Sequence, residues 1–303
     1  MTASRFTLVG IGEALYDVFP DRQVLGGAPL NLIVHAHRIA TRNQGEAIVV
    51  SRVGQDDLGS GVIDEIQGRQ MEAGFLQTDP DHPTGRVTVS VGPGGEPTYD
   101  IVDDVAWDWI HFDPDLEGLA HRCQAVCWGT LAQRNSESRN TILRFLDAMR
   151  PGTLRLFDIN LRQNFHDARI IRRSLIAASA LKVNEEELPT VGRLIGCENA
   201  GPDAMVQDLI RHFELEHVIY TRGERGTVLY DTHGKTEGAP ARYEHVPNAD
   251  AVGAGDACTA TVMSGLLLNW PLQQIADTAN RAGAYVASQQ GATPELPDDV
   301  IQA

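Results

Sequence analysis

Asn248-Ala-Asp-Ala-Val-Gly-Ala-Gly-Asp256-Ala-Cys-Thr-Ala260 sets two glycines around an alanine, follows them with a carboxylate, and runs on into small and apolar residues. The run from Thr259 to Leu268 reads as a helix. Glycine permits a tight turn, so successive N–H groups can converge at the positive end of that helix. Such a nest holds an anion. An aspartate beside it would repel the anion, unless the carboxylate takes a proton from a hydroxyl while the amides stabilise a phosphoryl group. The segment points to phosphoryl transfer to an alcohol. The competing reading is structural: a Gly-x-Gly entry turn, with Asp256 complementing the helix dipole.

Working outward, short apolar runs alternate with helical patterns. Phe6–Gly12, Ala47–Val50, Ala125–Trp128, Leu154–Phe157, Leu181–Val183 and His217–Tyr220 read as strands. Pro29–Ala40 and Leu58–Ala73 read as helices between them. This alternation predicts a Rossmann-like α/β fold, a mostly parallel central sheet flanked by helices. Thr227–Tyr230 follows a turn and is expected to pair antiparallel. Arg86-Val-Thr-Val-Ser-Val91 differs, because its polar and apolar residues alternate strictly. With a turn at 92–97 and a return over Thr98–Val102, it predicts a hairpin with one wet face: a lid, or an ordinary edge hairpin. The expected organisation is a single domain over 1–303, with lid segments near 14–25 and 84–104.

Composition excludes several classes. The 303 residues carry a formal charge of −16, which argues against a general nucleic-acid or anionic-membrane surface. No apolar stretch reaches the length of a membrane span, and the first residues lack a signal-peptide core. Cys123, Cys127, Cys197 and Cys258 show no secreted framework spacing. A reducing cytoplasm is expected.

Two glycine patterns are decoys. Gly10-Ile-Gly12 follows the first strand, but Leu15 stands where the dinucleotide fingerprint needs its third glycine. Gly54-Gln-Asp-Asp-Leu-Gly59-Ser60 begins like a P-loop and lacks the lysine. Other polar residues fall where open α/β sheets bind ligands, past the strand ends. Glu13 and Asp17 follow the first strand, and Gly26-Gly27-Ala-Pro-Leu-Asn31 is a glycine turn into a helix. Acceptors and donors together suit sugar hydroxyls, and capping is the other reading. Asp158-Ile-Asn-Leu-Arg162 ends another strand with an arginine suited to phosphate or carboxylate. Asn184-Glu-Glu-Glu187 either complements a helix dipole or steers hydrated Mg²⁺ near a phosphate. Thr221-Arg-Gly223-Glu-Arg-Gly226 either lies against a nucleotide or merely turns the chain. His35 and His37 sit in an apolar helix pattern and read as structural.

Together these pieces resemble the ribokinase-like (PfkB-type) carbohydrate kinases over essentially the whole chain. Asp250-Ala-Val-Gly-Ala-Gly-Asp256 matches that family's C-terminal signature. Gly26-Gly27 with Asn31, Asn184 with Glu187, Thr221-Arg-Gly223 and Ala279-Asn280-Arg-Ala-Gly-Ala284 follow in the family's order. The resemblance implies a small β-lid over a sugar, with ATP and Mg²⁺. It implies Asp256 as the base, with Gly253, Ala254 and Gly255 as the anion hole. Asn184, Thr221, Gly223, Gly226 and Asn280 would serve the nucleotide, and Glu187 would hold the metal through water. Asp17, Gly26, Gly27, Asn31, Arg86 and Arg162 would face the sugar. Ala251 replaces the signature's threonine, which weakens the case for a monovalent-cation (K⁺) site. A homodimer through the lid is also compatible with the family.

Gly-Gly-Ala-Pro-Leu-Asn31, Asp158-Ile-Asn-Leu-Arg162 and Val105-Ala-Trp-Asp108 resemble the fructokinase branch, so fructose is the first expectation. 2-Keto-3-deoxygluconate is the alternative, its carboxylate needing an arginine pair such as Arg86 and Arg162. No sequence feature favours ribose or a nucleoside. Outside kinases, the rivals are a sugar-sensing pseudokinase, which the retained Asp256 and both glycines disfavour, and a nicotinamide-dependent dehydrogenase, which Leu15 disfavours.

Overall fold

The structure is a computed structural model that describes residues 6–19, 22–91, 97–197 and 201–302. The chain opens with β1 (Thr7–Ile11), β2 (Leu15–Val18), β3 (Gln23–Gly26), α1 (Ala28–Arg42), β4 (Glu46–Gly54), α2 (Asp57–Gly68) and β5 (Leu76–Asp79). It continues through β6 (Gly85–Val91), β7 (Pro97–Ile101), α3 (Pro114–Arg122), β8 (Ala125–Trp128), α4 (Ser136–Ala148) and β9 (Leu154–Asp158). Then come α5 (Ala168–Ala177), β10 (Ala180–Asn184), α6 (Glu187–Ile195), α7 (Pro202–Phe213), β11 (His217–Thr221), β12 (Thr227–Asp231) and β13 (Lys235–Glu237). The last helices are α8 (Ala254–Leu267), α9 (Leu272–Ala287) and α10 (Asp298–Ile301).

The larger sheet runs β13-β12-β11-β10-β9-β8-β1-β4-β5. Every neighbouring pair from β5 to β11 is parallel, and β12 and β13 add antiparallel at one edge. The continuous apolar runs are those of strands covered on both faces. All of β1 is buried, for example. Strand order reverses about β1, which sits between β4 and β8, so its carboxyl end borders the crevice where such sheets take ligands.

The decoy motifs have packing roles. A Cβ at Gly10 would lie 2.5 Å from Ile33 Cγ1 and 2.6 Å from the Pro29 carbonyl oxygen, so the glycine lets α1 press onto β1. Asp56 caps α2 by accepting the Gly59 N–H at 2.7 Å, and its second oxygen accepts the Thr84 N–H at 2.8 Å. That carboxylate ties the start of α2 to the residue just before β6.

A separate four-stranded sheet runs β3-β2-β6-β7. Its β2–β6 pair is parallel and its outer pairs are antiparallel. The register pairs Asp17 with Val87 and Val87 with Ile101, which puts Leu15, Asp17, Val87 and Ile101 on one face. Leu15, Val87 and Ile101 are buried in the cluster that also holds Val105 and Trp107. Arg86 and Thr88 occupy the opposite face and are exposed. Alternation marked only the β6–β7 hairpin as wet-faced; β2 and β3, in the other lid segment expected near 14–25, extend it into a sheet. The expected turn at 92–97 falls, for 92–96, outside the described residues.

Two helix boundaries differ from expectation. The second helix stops at Gly68 rather than Ala73, with Arg69 as its C-cap. The glycine-turn helix begins at Ala254, five residues before Thr259. Gly255 argues against helix by propensity, but the first turn tolerates it because Gly253 in the left-handed region starts the helix there. Asp256 therefore stands inside the helix.

Candidate active site

The site grows from the start of α8. Gly253 has φ 78°, and a Cβ there would lie 2.1 Å from the Ala292 carbonyl oxygen, so no other residue fits without moving backbone. That same carbonyl accepts a hydrogen bond from His35 Nε2 at 3.0 Å. His35 is buried on α1, and burial pushes its pKa down to about 4, so the ring is neutral and donates through Nε2–H. His35 is structural, as expected, and what it holds is the loop behind the glycine turn.

The first-turn N–H groups of a helix have no intrahelical acceptor. At this end the Ala254 N–H already donates to the Ala251 carbonyl at 3.3 Å, which occupies one of the three amides expected in the anion hole. The Gly255 and Asp256 amides belong to that first turn as well. The segment therefore aims a helix amino terminus, with a flanking carboxylate, at one place.

Asp256 is half-buried and accepts a hydrogen bond from Asn31 Nδ2 at 2.9 Å on its Oδ2. Burial raises the Asp256 pKa above the ordinary carboxylate value, while the Asn31 bond and the charges of Lys182 and Arg162 pull it down. Asn31 stands one turn before His35 on α1, so one helix face fixes both the carboxylate and the backing loop. Gly27 makes this possible. Its φ is 112°, and a Cβ would lie 2.3 Å from the Glu13 carbonyl oxygen, so the turn passes directly over the chain leaving β1. Gly26 is looser, its Cβ position 3.3 Å from Asp17 Oδ2.

Arg162 is exposed, yet its charge lowers the pKa of Glu13, Asp17 and Asp256 together. In each of the three, burial is the larger and opposite effect. The structure thus brings Asp17, Asn31, Arg162 and Asp256 around one crevice. It does not bring Arg86 there. Strand alternation puts Arg86 beside Tyr16 on the face of β6 opposite Asp17, and its charge acts on Asp56. The expected pairing of Arg86 with Arg162 is corrected by that register.

Two more residues belong to the crevice: Glu13, which the sequence placed at the strand end without a role, and Lys182, which it missed. Glu13 is 2% exposed with Oε2 lacking a hydrogen-bond partner, and burial pushes its pKa up to about 7. Lys182, on β10, is buried with its Nζ 3.0 Å from Asp158 Oδ1 and 3.7 Å from where a Gly255 Cβ would stand. Burial alone would discharge it. The charges of Asp158, Glu187 and Asp256 outweigh burial and keep the ammonium. Burial also lifts Asp158 to about 6 against the pull of Lys182. A lysine amid the apolar run Leu181–Val183 was the available signal, since a buried charge must be paired.

At the far end of the crevice, Asn184 Oδ1 accepts the Glu186 and Glu187 N–H groups at 2.9 and 2.8 Å. Glu187 accepts the Leu161 N–H on Oε1 at 3.0 Å and the Asn184 N–H on Oε2 at 2.9 Å. Both residues thus carry local backbone duties. Thr221 ends β11 in register with Asn184 and Thr227. Gly223 opens the short helical turn that Gly226 closes, both with positive φ. A Cβ at Gly226 would lie 2.6 Å from Asn280 Nδ2. Asn280 is spent inside the protein, accepting the Thr227 N–H at 2.9 Å and donating to the Ala239 carbonyl at 3.0 Å. It shapes the wall behind this loop.

Asp250 accepts the Val252 N–H on Oδ1 and the Gly291 N–H on Oδ2, both at 3.1 Å, and so fastens the glycine turn to the 289–292 loop. Among the described residues no three His, Cys, Asp or Glu side chains converge as a preformed metal site. Nor is any helix among them long and apolar enough to cross a membrane.

Comparison with known proteins follows the same outline. Residues 12–299 match the family described as pfkB family carbohydrate kinase. A fructokinase of Escherichia coli is 27% identical over 305 aligned positions, covering 95% of this chain and 95% of that protein. The crystal structure of an ATP-bound fructokinase from Xylella fastidiosa superposes with TM-score 0.80 at 18% identity, over 95% of each chain. A Vibrio cholerae fructokinase double mutant, in its fructose-, ADP- and potassium-bound form, gives TM-score 0.79 at 23% identity, covering 98% of this chain and 97% of that one. At these identities the two structures speak for the fold, a ribokinase-like α/β sheet with a small second sheet. With the family match spanning almost its whole length, the chain belongs to the pfkB family of carbohydrate kinases.

Proposed function

We propose that the protein transfers the γ-phosphoryl group of ATP to a sugar hydroxyl, with fructose as the first candidate acceptor. The observation that carries this reading is Asp256 standing in the first turn of α8, one oxygen held by Asn31, beside unspent helix amides. Oδ2 is fixed by Asn31, which leaves Oδ1 to accept the hydroxyl proton as the acceptor oxygen attacks. The Gly255 and Asp256 amides, with the turn at Gly253, stabilise charge on the transferred group, and the Lys182 ammonium adds to the same field. Arg162 offers a fork to the phosphoryl group on the sugar side. Most of the rate would come from positioning and charge stabilisation.

In this reading the Thr221–Gly226 loop and Asn184 border the nucleotide, with Asn280 shaping the wall behind. Mg²⁺, when bound, would neutralise phosphate charge. Both Glu187 oxygens already accept backbone N–H groups, which suits contact through water rather than direct ligation. Asp250 is similarly engaged, and Ala251 contributes no hydroxyl, so only a weak response to K⁺ is expected.

The small sheet would act as a lid within a single domain, its Asp17 face turned to the sugar. Protection of β6 and β7 from hydrogen exchange on adding sugar would support closure; identical exchange with and without sugar would oppose it. A homodimer would use the other face, and sedimentation tests it. The four buried thiols suit a reducing cytoplasm, with Cys123 pushed up to about 12 by burial.

Arg86 on the outer face removes one of the two arginines that 2-keto-3-deoxygluconate would need, which favours a neutral hexose. The test is ADP release from Mg·ATP with fructose, glucose, ribose, 2-keto-3-deoxygluconate and adenosine in turn. Turnover with fructose at the highest kcat/KM supports the reading; preference for the acid or the nucleoside replaces the substrate. Silence on all, with ATP bound, leaves the sensor.

A further inference from the structure

Away from the crevice, Arg139 on α4 and Arg169 and Arg173 on α5 line a hollow of about 230 Å³, with Gln133, Ser136 and Asn140. No carboxylate lines it, although the chain has 41 Asp and Glu against 25 Lys and Arg. The nearest counter-charge to any of the three is Asp167, 3.8 Å from Arg169 and outside the lining. Arg139 gives one N–H to the Gln133 carbonyl at 2.8 Å. The Arg173 side chain makes no hydrogen bond or ion pair among the described residues, although its backbone is part of α5. The adjoining hollow shares Asn140 and Arg173 but is lined by Glu137 and Asp147 as well, so of the two only the first is lined without a carboxylate.

We propose that this hollow is a second anion site, distinct from the candidate active site, that binds a phosphate-bearing small molecule. Guanidinium forks match phosphate oxygens, and three of them around one space favour a multiply charged anion over a carboxylate. Serine, asparagine and glutamine side chains on the same wall suit hydroxyl or ester oxygens, and the volume exceeds that of a bare phosphate. α5 begins directly after the stretch carrying Arg162, so an occupant would also steady that approach.

The test is titration calorimetry with inorganic pyrophosphate on the native chain and on Arg169→Ala/Arg173→Ala. Both side chains are exposed, so the variant should keep its melting temperature and its sugar-dependent turnover. Pyrophosphate can also meet the α8 turn, and that component is common to both proteins. The expected result is a second binding component in the native chain, weakened at least tenfold in the double variant and abolished by Arg173→Glu. Isotherms agreeing within twofold across all three proteins would overturn the proposal and leave the α8 turn as the sole anion site.

Discussion

Gly253→Ala tests whether the glycine turn places catalytic amides or merely starts a helix. The added Cβ would stand 2.1 Å from the Ala292 carbonyl oxygen and 2.8 Å from its carbon, against backbone that cannot rotate away. Ala292 is pinned from behind by His35 at 3.0 Å, so relief has to come from the turn itself. Restoring an ordinary contact means a shift of roughly 1 Å, and misplacement of that size can cost about 10²-fold in rate. A left-handed φ for alanine adds about 1–2 kcal/mol, and the contact should bring the total loss to roughly 2–4 kcal/mol. The melting temperature should fall by several degrees. Gly196→Ala supplies the control: φ is 75° there, and nothing lies within 4 Å of its Cβ position. It should lose stability through φ alone and keep its kcat. ADP release with saturating Mg·ATP and sugar, beside thermal unfolding of both variants, gives the readings. Gly253→Ala with kcat within threefold of native, despite a lowered melting temperature, would refute the anion-hole assignment.

Three further outcomes follow from the crevice. Lys182→Met should cost about 3–5 kcal/mol by stranding buried carboxylates, and adding Asp158→Asn should recover most of it, as denaturant midpoints would report. Equal instability of single and double variants would mean that the pair is not coupled. Asn31→Ala removes a bond that lowers the Asp256 pKa, so the acid limb of kcat/KM should move to higher pH; an unmoved limb would detach Asn31 from the base. Glu13 has a folded pKa raised to about 7 from an unfolded 4.5, so its contribution to stability is full below pH 4.5 and is lost as pH rises through 7. Glu13→Gln should flatten that fall, by an amount on the order of 3 kcal/mol between pH 5 and 8. Parallel pH profiles of the native chain and the variant would contradict it.

The main sheet was legible because buried parallel strands write themselves as continuous apolar runs, and every strand read from such a run is present. Short or half-exposed strands such as β2, β3 and β13 lack that signal, and β2, with β3 on its other edge, pairs across the sequence with a distant hairpin. Alternation carried the face of each residue in β6, yet only the register with β2 showed that Arg86 and Asp17 look opposite ways. The Asp256 segment was legible because it combines a turn, a charge and a helix in one short stretch. What surrounds Asp256 was not: Asn31 lies 225 positions away, and His35 acts through a carbonyl 257 positions distant. Contacts of that separation leave no local periodicity. Glu13 and Lys182 did leave a trace, as charges in or beside apolar strands that burial would have to pair.

The most direct test of the account is Asp256→Asn. The amide keeps the shape and the Asn31 neighbour but cannot accept the proton. The account predicts that ATP and fructose still bind with near-native affinity, while single-turnover phosphoryl transfer falls by about 10²–10⁴-fold. Transfer at the native rate would contradict it and remove Asp256 from the chemistry.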